Sequence, residues 1–126
     1  MAKILLVDDD EQIRDSFCEF LRILGHDVAV AENGNEALKY LAKNEVDLLL
    51  LDIIMPELDG IGVLMALHKE MNRPRIIAIS GGSYKLDQDF VLSLAKKMRV
   101  DVVLTKPVSF EVLQEAITQV LGSTEE

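Results

Sequence analysis

Five short apolar segments, separated by stretches with helical spacing, limit the folds open to this chain more than any other feature. The segments lie at residues 4–7, 28–31, 46–51, 75–79 and 101–104. They are rich in Ile, Val and Leu and barely alternate with polar residues, which is typical of strands covered on both faces of a parallel sheet. The sequence therefore predicts five buried parallel strands.

Between these strands, apolar residues recur every three or four positions, as they do along one face of an α-helix. The five predicted helical stripes are Ile13, Phe17, Leu21 and Leu24; Ala37, Leu38 and Leu41; Leu64, Leu67 and Met71; Val91, Leu94, Ala95 and Met98; and Leu113, Ala116, Ile117, Val120 and Leu121. Gly25 is placed to end the first helix, and Asn33 with Glu36 resembles a capping box. This alternation predicts an α/β fold, a three-layer sandwich with right-handed crossovers and five helices.

The composition fits one compact domain. The chain has 126 residues, of which 49% are hydrophobic and 28% charged, and we expect the domain to span residues 1–121 with a disordered tail at 122–126. Its net charge of −9 repels phosphate backbones, which argues against direct nucleic-acid binding. No apolar run is long enough to cross a membrane, and the single Cys18 predicts a reducing, cytoplasmic location.

Polar side chains stand where the predicted strands end. They are Asp8, Asp9 and Asp10 after the first strand, Asp52 after the third, Ser80 after the fourth, and Lys106 with Pro107 after the fifth. In open α/β sheets, ligands bind beyond the carboxyl ends of the strands, where the strand order reverses. The strand order 2-1-3-4-5 brings these groups into one crevice, so we expect that order here.

Most of these residues also have a purely structural explanation. Helix capping accounts for Asp10 and is an alternative for its two neighbours, a turn hydroxyl accounts for Ser80, and a solvated side chain accounts for Lys106. Asp52 is harder to explain, because a carboxylate at the end of a four-leucine run is partly buried. Facing carboxylates repel each other by roughly 4 kcal/mol per pair at 4 Å and an effective dielectric near 20. The cluster therefore needs a positive partner, either Lys106 or a hard divalent cation.

A magnesium ion fits such a cluster, since it prefers oxygen ligands and is commonly held by one or two carboxylates together with a phosphate. A cation would screen Asp52 from an incoming phosphoryl group, so that its carboxylate acts as a nucleophile. Ser80 and Lys106 are placed to contact the phosphoryl oxygens. Phosphoryl transfer requires chiefly positioning and charge neutralisation, and these groups supply both.

The whole chain resembles the receiver domain of two-component response regulators, a flavodoxin-like fold. The matching segments are residues 4–10 (ILLVDDD), 31–38 (AENGNEAL), 51–60 (LDIIMPELDG), 79–80 (IS) and 104–107 (LTKP). Each segment alone is weakly specific, whereas their order and spacing together are highly specific.

The resemblance implies a phosphorylation switch in which Asp52 is the phosphoacceptor. It implies that Asp9 and Asp52 ligate Mg²⁺ together with the backbone carbonyl of Ile54, and that Asp8 assists, commonly through water. The phosphoryl donor would be a histidine kinase or a histidine phosphotransfer protein. The receiver of the signal would be a downstream protein target or an output domain, and self-association as a homodimer is compatible with the family.

The resemblance also implies roles for two groups at the end of the sheet. Ser80 would be the switch hydroxyl that moves toward the phosphoryl group, and Lys106 would contact that group through a side chain followed by a cis bond to Pro107. Such a chain is a signalling domain that assists its own phosphorylation and dephosphorylation. It is not an enzyme acting on other substrates.

The sequence departs from the family at three places. Val103 stands where receivers often carry an aromatic ring that reports phosphorylation, and Arg99-Val100 replaces a common Gly-Ala. Ile54 stands where many receivers place a polar side chain near the attacking water. Because Ile54, with Gly82, gives little help in orienting that water, we expect a long-lived aspartyl phosphate. We also expect an output route without the aromatic ring.

Other functions share parts of this pattern. A flavodoxin-like redox carrier needs a Ser/Thr/Gly-rich phosphate loop after the first strand, and three aspartates there would repel the phosphate. A magnesium-dependent phosphohydrolase usually carries its nucleophile after the first strand and a cap domain, for which the chain has no room. A receiver that binds partners without phosphorylation stays open because of Val103.

Overall fold

The computed structural model describes residues 2–53, 55, 59–81 and 88–122 and contains five strands and five helices in strict alternation. The elements are β1 (Lys3–Val7), α1 (Glu11–Ile23), β2 (Asp27–Ala31), α2 (Gly34–Lys43), β3 (Leu48–Asp52), α3 (Asp59–His68), β4 (Arg75–Ser80), α4 (Gln88–Lys97), β5 (Val102–Thr105) and α5 (Phe110–Leu121). The strands form one parallel sheet in the order β2-β1-β3-β4-β5. The predicted fold class and strand order are confirmed.

The central strand β3 explains why its sequence is a continuous leucine run. All five of its residues are buried, and its leucines alternate between the two faces of the sheet. Leu48 and Leu50 pack into the cluster beneath α1 and α5, whereas Leu49 and Leu51 pack into the cluster beneath α2 and α3. Each buried leucine contributes about 2 kcal/mol of hydrophobic stabilisation. A strand covered on both faces needs apolar residues at every position, which removes the alternation seen in half-exposed strands.

Side-chain caps begin three of the helices, and two of these caps, Asp10 and Asn33, were predicted from the sequence. Asp10 accepts hydrogen bonds from the backbone N–H groups of Gln12 (2.9 Å) and Ile13 (3.4 Å), so its predicted capping role is confirmed. Asn33 caps α2 and Ser109 caps α5 in the same way. None of the helices in the described part of the chain is both long and apolar enough to span a bilayer.

Three residues of the predicted helical stripes lie outside the helices. Met98 follows the end of α4 at Lys97 but still packs, partly buried, against the core. The other two are exposed. Leu24 is the C-cap of α1 and is 37% exposed, because Gly25 follows it in the left-handed conformation (φ +96°) and ends the helix. Met71 is 96% exposed and lies beyond the end of α3 at His68. The chain leaves the helix before Pro74, which disfavours helical backbone in the residue that precedes it. The stripe predictions were wrong at these two positions.

The end of α4 keeps a glycine-type geometry although no glycine is present. Arg99 adopts φ +58°, the left-handed conformation that is costly for residues with a Cβ. Its N–H donates to the Lys96 carbonyl at 3.4 Å, and the next N–H, from Val100, donates to the Ala95 carbonyl at 2.9 Å. This pair of bonds is the Schellman pattern that normally ends on glycine. The Arg99-Val100 substitution noted in the sequence therefore leaves a standard helix ending in place.

Arg73 holds this helix end from the loop before β4. Its guanidinium donates to the Met98 carbonyl at 3.0 Å and to the Arg99 carbonyl at 2.8 Å. These carbonyls follow the last turn of α4, where backbone acceptors lack partners inside the helix. The two hydrogen bonds tie the end of α4 to the strand entry of β4 and help to hold Arg99 in its left-handed conformation.

Replacing Arg99 with glycine is expected to raise the free energy of unfolding by about 1 kcal/mol, because glycine adopts positive φ without a Cβ clash. Urea denaturation of the two proteins measures this difference. Arg99→Ala is the control, since it removes the charge but keeps the Cβ and should leave stability nearly unchanged. Equal stabilisation by both variants would show that repulsion from Arg73, rather than backbone strain, is the cost at this position.

Candidate functional site

The predicted site residues gather at the carboxyl ends of four strands. Asp8 follows β1, Asp52 and Ser80 are the last residues of β3 and β4, and Lys106 follows β5. β3 and β4 thus each end one residue later than the sequence pattern predicted, so Asp52 and Ser80 lie inside their strands. The order β1-β3-β4-β5 makes these strand ends neighbours, so residues far apart in sequence share one crevice.

Asp8 is buried and held by the backbone around it. It is 1% exposed, its N–H donates to the Ala31 carbonyl at 3.2 Å, and its Oδ1 accepts from the Asp10 N–H at 2.9 Å. Its Oδ2 has no hydrogen-bond partner among the described residues. Burial raises the pKa of the Asp8 carboxyl, although the Asp10 N–H and the Lys106 charge act in the opposite direction.

Lys106 lies between two buried carboxylates. Its Nζ donates to Asp52 Oδ2 at 3.0 Å and forms a longer ion pair with Asp8 Oδ2 at 3.4 Å, and both aspartate side chains are 1% exposed. Burial acts to lower the Lys106 pKa, but the hydrogen bond and charge of Asp52, together with the charge of Asp8, raise it above its usual value. Among the residues that the structure describes, one ammonium group therefore faces two carboxylates.

Asp9 completes an acidic cluster with these two carboxylates. One oxygen each from Asp8, Asp9 and Asp52 lies within 4.8 Å of the others, and Asp9 is exposed at the mouth of the cluster. Three carboxylate oxygens are the donor set that a hard divalent cation prefers. The residues present therefore fit Mg²⁺. Ile54, whose carbonyl the resemblance adds to this set, lies outside the described residues.

Ser80 forms its hydrogen bonds with β5 and with Lys106, which follows β5. It is 3% exposed, and its hydroxyl donates to the Leu104 carbonyl at the long distance of 3.5 Å. Its own carbonyl accepts from the Lys106 N–H at 2.8 Å, and Lys106 precedes a cis bond to Pro107, as expected. The serine hydroxyl is thus weakly held, which leaves it available to another acceptor in the crevice.

Two further residues contribute to the site and were not singled out in the sequence. Arg14 donates from Nη1 to the Asp8 carbonyl at 2.7 Å. Gly60 packs against the end of β3, where a Cβ would come 2.8 Å from the Ile53 carbonyl carbon and closer still to Ile53 Cα and the Asp52 carbonyl oxygen. Nothing in the sequence marks Arg14, whereas Gly60 belongs to the matching segment at 51–60.

Val103 fills the place that an aromatic ring often takes in this kind of domain. It pairs with Ala78 across β4 and β5 and packs, partly buried, against the cluster that also includes Leu94 and Met98. Both members of this strand pair are small.

Replacing Asp8 with asparagine is expected to raise the free energy of unfolding by about 1 kcal/mol in magnesium-free buffer, because a neutral amide lowers the burial cost and the repulsion within the cluster. Lys106 keeps its partner Asp52 in this variant. Chemical denaturation in EDTA measures the effect. A loss of stability would mean that the Asp8 carboxylate contributes more through Lys106 than it costs through burial.

A parallel 2-1-3-4-5 sheet with aspartates, a serine and a lysine at its carboxyl edge defines the receiver class of signalling domains. The sequence profile of the response regulator receiver domain matches residues 4–118. The chain belongs to this family. Membership is consistent with phosphorylation-dependent two-component signalling, and the predicted family is confirmed.

Curated relatives extend well beyond the region they share with this chain. The transcriptional regulatory protein CpxR of Escherichia coli is 39% identical over 121 residues, which are 96% of this chain and 50% of CpxR. A probable transcriptional regulator, ycf27 of Cyanidium caldarium, is 37% identical over 118 residues, covering 94% of this chain and 45% of ycf27. The chain thus spans about half the length of the curated relatives it matches.

Solved structures match the fold over nearly the whole chain. The receiver domain of Francisella response regulator 1452 has a TM-score of 0.85 at 30% identity and covers 99% of this chain and 100% of its own. The response regulator TrrA of Thermotoga maritima, solved in complex with Mg²⁺-BeF, has a TM-score of 0.78 at 32% identity and covers 95% of this chain and 99% of its own. The fold and family thus have support from both sequence and structure.

Proposed function

We propose that this domain is a switch in which Asp52 accepts a phosphoryl group from a phosphohistidine, in a reaction that depends on Mg²⁺. The observation that carries the proposal is the arrangement around Asp52. Its carboxylate is buried, belongs to a cluster of three carboxylates, and accepts a hydrogen bond from Lys106 at 3.0 Å. A buried nucleophile with a nearby cation is suited to receive an anionic group.

The chain's own residues account for most of the transfer step. A carboxylate oxygen of Asp52 forms a bond to phosphorus while the P–N bond of the donor breaks, leaving its electron pair on the imidazole nitrogen. Lys106 then pairs with a phosphoryl oxygen, and the weakly held hydroxyl of Ser80 donates to another. No proton needs to leave Asp52, because it reacts as the carboxylate. This assigns the three predicted groups their roles.

The acidic cluster would hold the metal through Asp8, Asp9 and Asp52, with the Ile54 carbonyl proposed as a further ligand. When bound there, Mg²⁺ supplies positive charge that offsets the repulsion between the carboxylates and the phosphoryl oxygens. The relative TrrA was solved in complex with Mg²⁺-BeF, which supports this assignment. Asp8 Oδ2 has an ion pair with Lys106 but no hydrogen bond among the described residues, so a bound cation would add to its stabilisation.

The finer assignments follow from the same proposal. The phosphoryl donor is a histidine kinase or a histidine phosphotransfer protein, and the output passes to a protein target or an output domain, with a homodimer as one form. We place the domain at residues 1–121, since α5 ends at Leu121 before Gly122, and in the cytoplasm, where Cys18 stays reduced. The domain assists its own dephosphorylation slowly, because an apolar residue at 54 does not orient water.

The test is the intact mass of the protein after incubation with magnesium and acetyl phosphate. One added phosphoryl group is expected on the native protein, and none on Asp52→Asn or in a magnesium-free control. The amide of that variant preserves the shape of the site while removing the nucleophile. If acetyl phosphate gives no adduct although Mg²⁺ binds, a purified phosphohistidine donor decides the matter. Failure of both donors would overturn the proposal and favour a binding module without phosphorylation.

A further inference from the structure

One side chain fixes the backbone between the first two aspartates of the cluster. Arg14, in the second turn of α1, reaches back over the helix start, and its Nη1 donates to the Asp8 carbonyl at 2.7 Å. The contact is half-buried, and its acceptor is a neutral carbonyl rather than a carboxylate. It is therefore a positional hydrogen bond and not an ion pair.

The N–H and the Oδ1 atom of Asp8 already have other partners, so the carbonyl is the group through which Arg14 holds this segment. The N–H of Asp8 is bound to the Ala31 carbonyl, and Oδ1 is bound to the Asp10 N–H. The carbonyl belongs to the peptide plane that joins Asp8 to Asp9. A planar peptide transmits the orientation of its carbonyl to both flanking residues. Fixing that plane therefore fixes the relative positions of both Cα atoms and restricts the directions in which two of the three clustered carboxylates leave the backbone.

We infer that Arg14 is a positioning residue for the cation site: it holds the Asp8–Asp9 peptide so that both carboxylates converge with Asp52. The inference rests on the proposed magnesium site. The contact that Arg14 makes is with a backbone carbonyl, and by this proposal Arg14 is not a ligand of the metal. Its effect on phosphorylation would pass entirely through the geometry of the ligands, in the way that outer-shell partners orient ligands in other metal sites.

The chain provides a matched control on the same helix. Arg22 also spans six residues to a backbone carbonyl, donating from Nη2 to Val28 at 3.2 Å in an equally half-buried contact. Val28 lies in β2, at the edge of the sheet and away from the acidic cluster. Arg14→Met and Arg22→Met thus remove the same charge and the same kind of hydrogen bond, but only the first removes it from the cluster.

The experiment is isothermal titration calorimetry, in which the affinity for Mg²⁺ is measured for both variants and the native protein. The temperature is one at which denaturation curves show all three proteins fully folded. Arg14→Met is expected to bind Mg²⁺ about 10-fold more weakly than the native protein, and Arg22→Met within about twofold of it. The titrations are repeated at about 0.5 M KCl, where the Debye length falls to a few ångströms and charge effects over longer distances are screened. A positional effect persists in salt.

Each outcome decides between the two proposals. Weakening confined to Arg14→Met and retained in salt supports the inference. Equal affinities for all three proteins, equal weakening in both variants, or a difference that disappears in salt would overturn it while leaving the magnesium site standing. Absence of Mg²⁺ binding by the native protein would overturn the proposed site, and the inference with it.

Discussion

Replacing Lys106 with methionine is expected to lower the free energy of unfolding by about 3 kcal/mol in magnesium-free buffer, because removing one partner of a buried ion pair leaves uncompensated charge. Lys106 is the cation that the structure places between Asp8 and Asp52, at 3.4 and 3.0 Å. Methionine keeps most of the side-chain volume, so the effect reports the charge and its hydrogen bond rather than a cavity. Urea denaturation in EDTA measures it.

Two controls separate the cluster from general effects of the substitution. Lys96→Met changes an exposed lysine of α4 in the same way and should alter stability by less than about 0.5 kcal/mol. Magnesium should stabilise Lys106→Met more than the native protein, since a bound cation replaces the missing charge. If Lys106→Met proves as stable as the native protein in EDTA, the two carboxylates do not carry the repulsion that the structure indicates.

Replacing Gly60 with alanine is expected to lower the free energy of unfolding by about 3 kcal/mol, the upper part of the range for overpacked sites. The added Cβ would meet the backbone of Ile53 and Asp52, and backbone atoms at the end of a central strand cannot move aside as a flexible side chain can. Thermal or urea denaturation measures the loss. Because the clash includes the Asp52 carbonyl, the yield of phosphorylated protein from acetyl phosphate should fall as well.

Gly62 provides the matched control one half-turn further along α3. A Cβ there meets no atom within 4 Å, so Gly62→Ala should stabilise the protein by about 0.5–1 kcal/mol through helix propensity alone. Opposite signs for the two glycine substitutions would establish that the close approach of α3 to β3 is required. A loss of stability well below about 3 kcal/mol in Gly60→Ala would mean that the start of α3 can shift away from β3.

The sequence predicted the parts of the fold that depend on apolar patterning. Strands buried on both faces produce the uninterrupted apolar runs at residues 48–51 and 76–79. The strand order followed from the need to bring polar strand ends together. Strand ends were less accurate, because the last backbone hydrogen bond, rather than the last apolar residue, sets where a strand stops. Asp52 and Ser80 therefore proved to be strand residues.

Features that depend on geometry between distant elements could not be predicted. The sequence predicted that Lys106 lies near the aspartates. It could not show that the Lys106 ammonium lies closer to Asp52, at 3.0 Å, than to Asp8, at 3.4 Å. The Arg14 contact depends on how α1 turns away from β1, and no residue pattern encodes that angle. Met71 kept helical spacing in the sequence, yet it followed the point where the chain had already left α3. Helical periodicity indicates which face of a helix is apolar, but it does not indicate where the helix ends.

The full burial of β3 has a consequence for how the domain would respond over time. Backbone amides in a strand that is buried at every position and paired on both sides exchange with solvent mainly through global opening of the domain. Asp52, the proposed phosphoacceptor, thus stands on the part of the chain that opens last. Hydrogen exchange at β3 should stay slow whether or not Asp52 is modified, so under the proposed function any change that a partner detects would arise in the segments that approach this strand from outside.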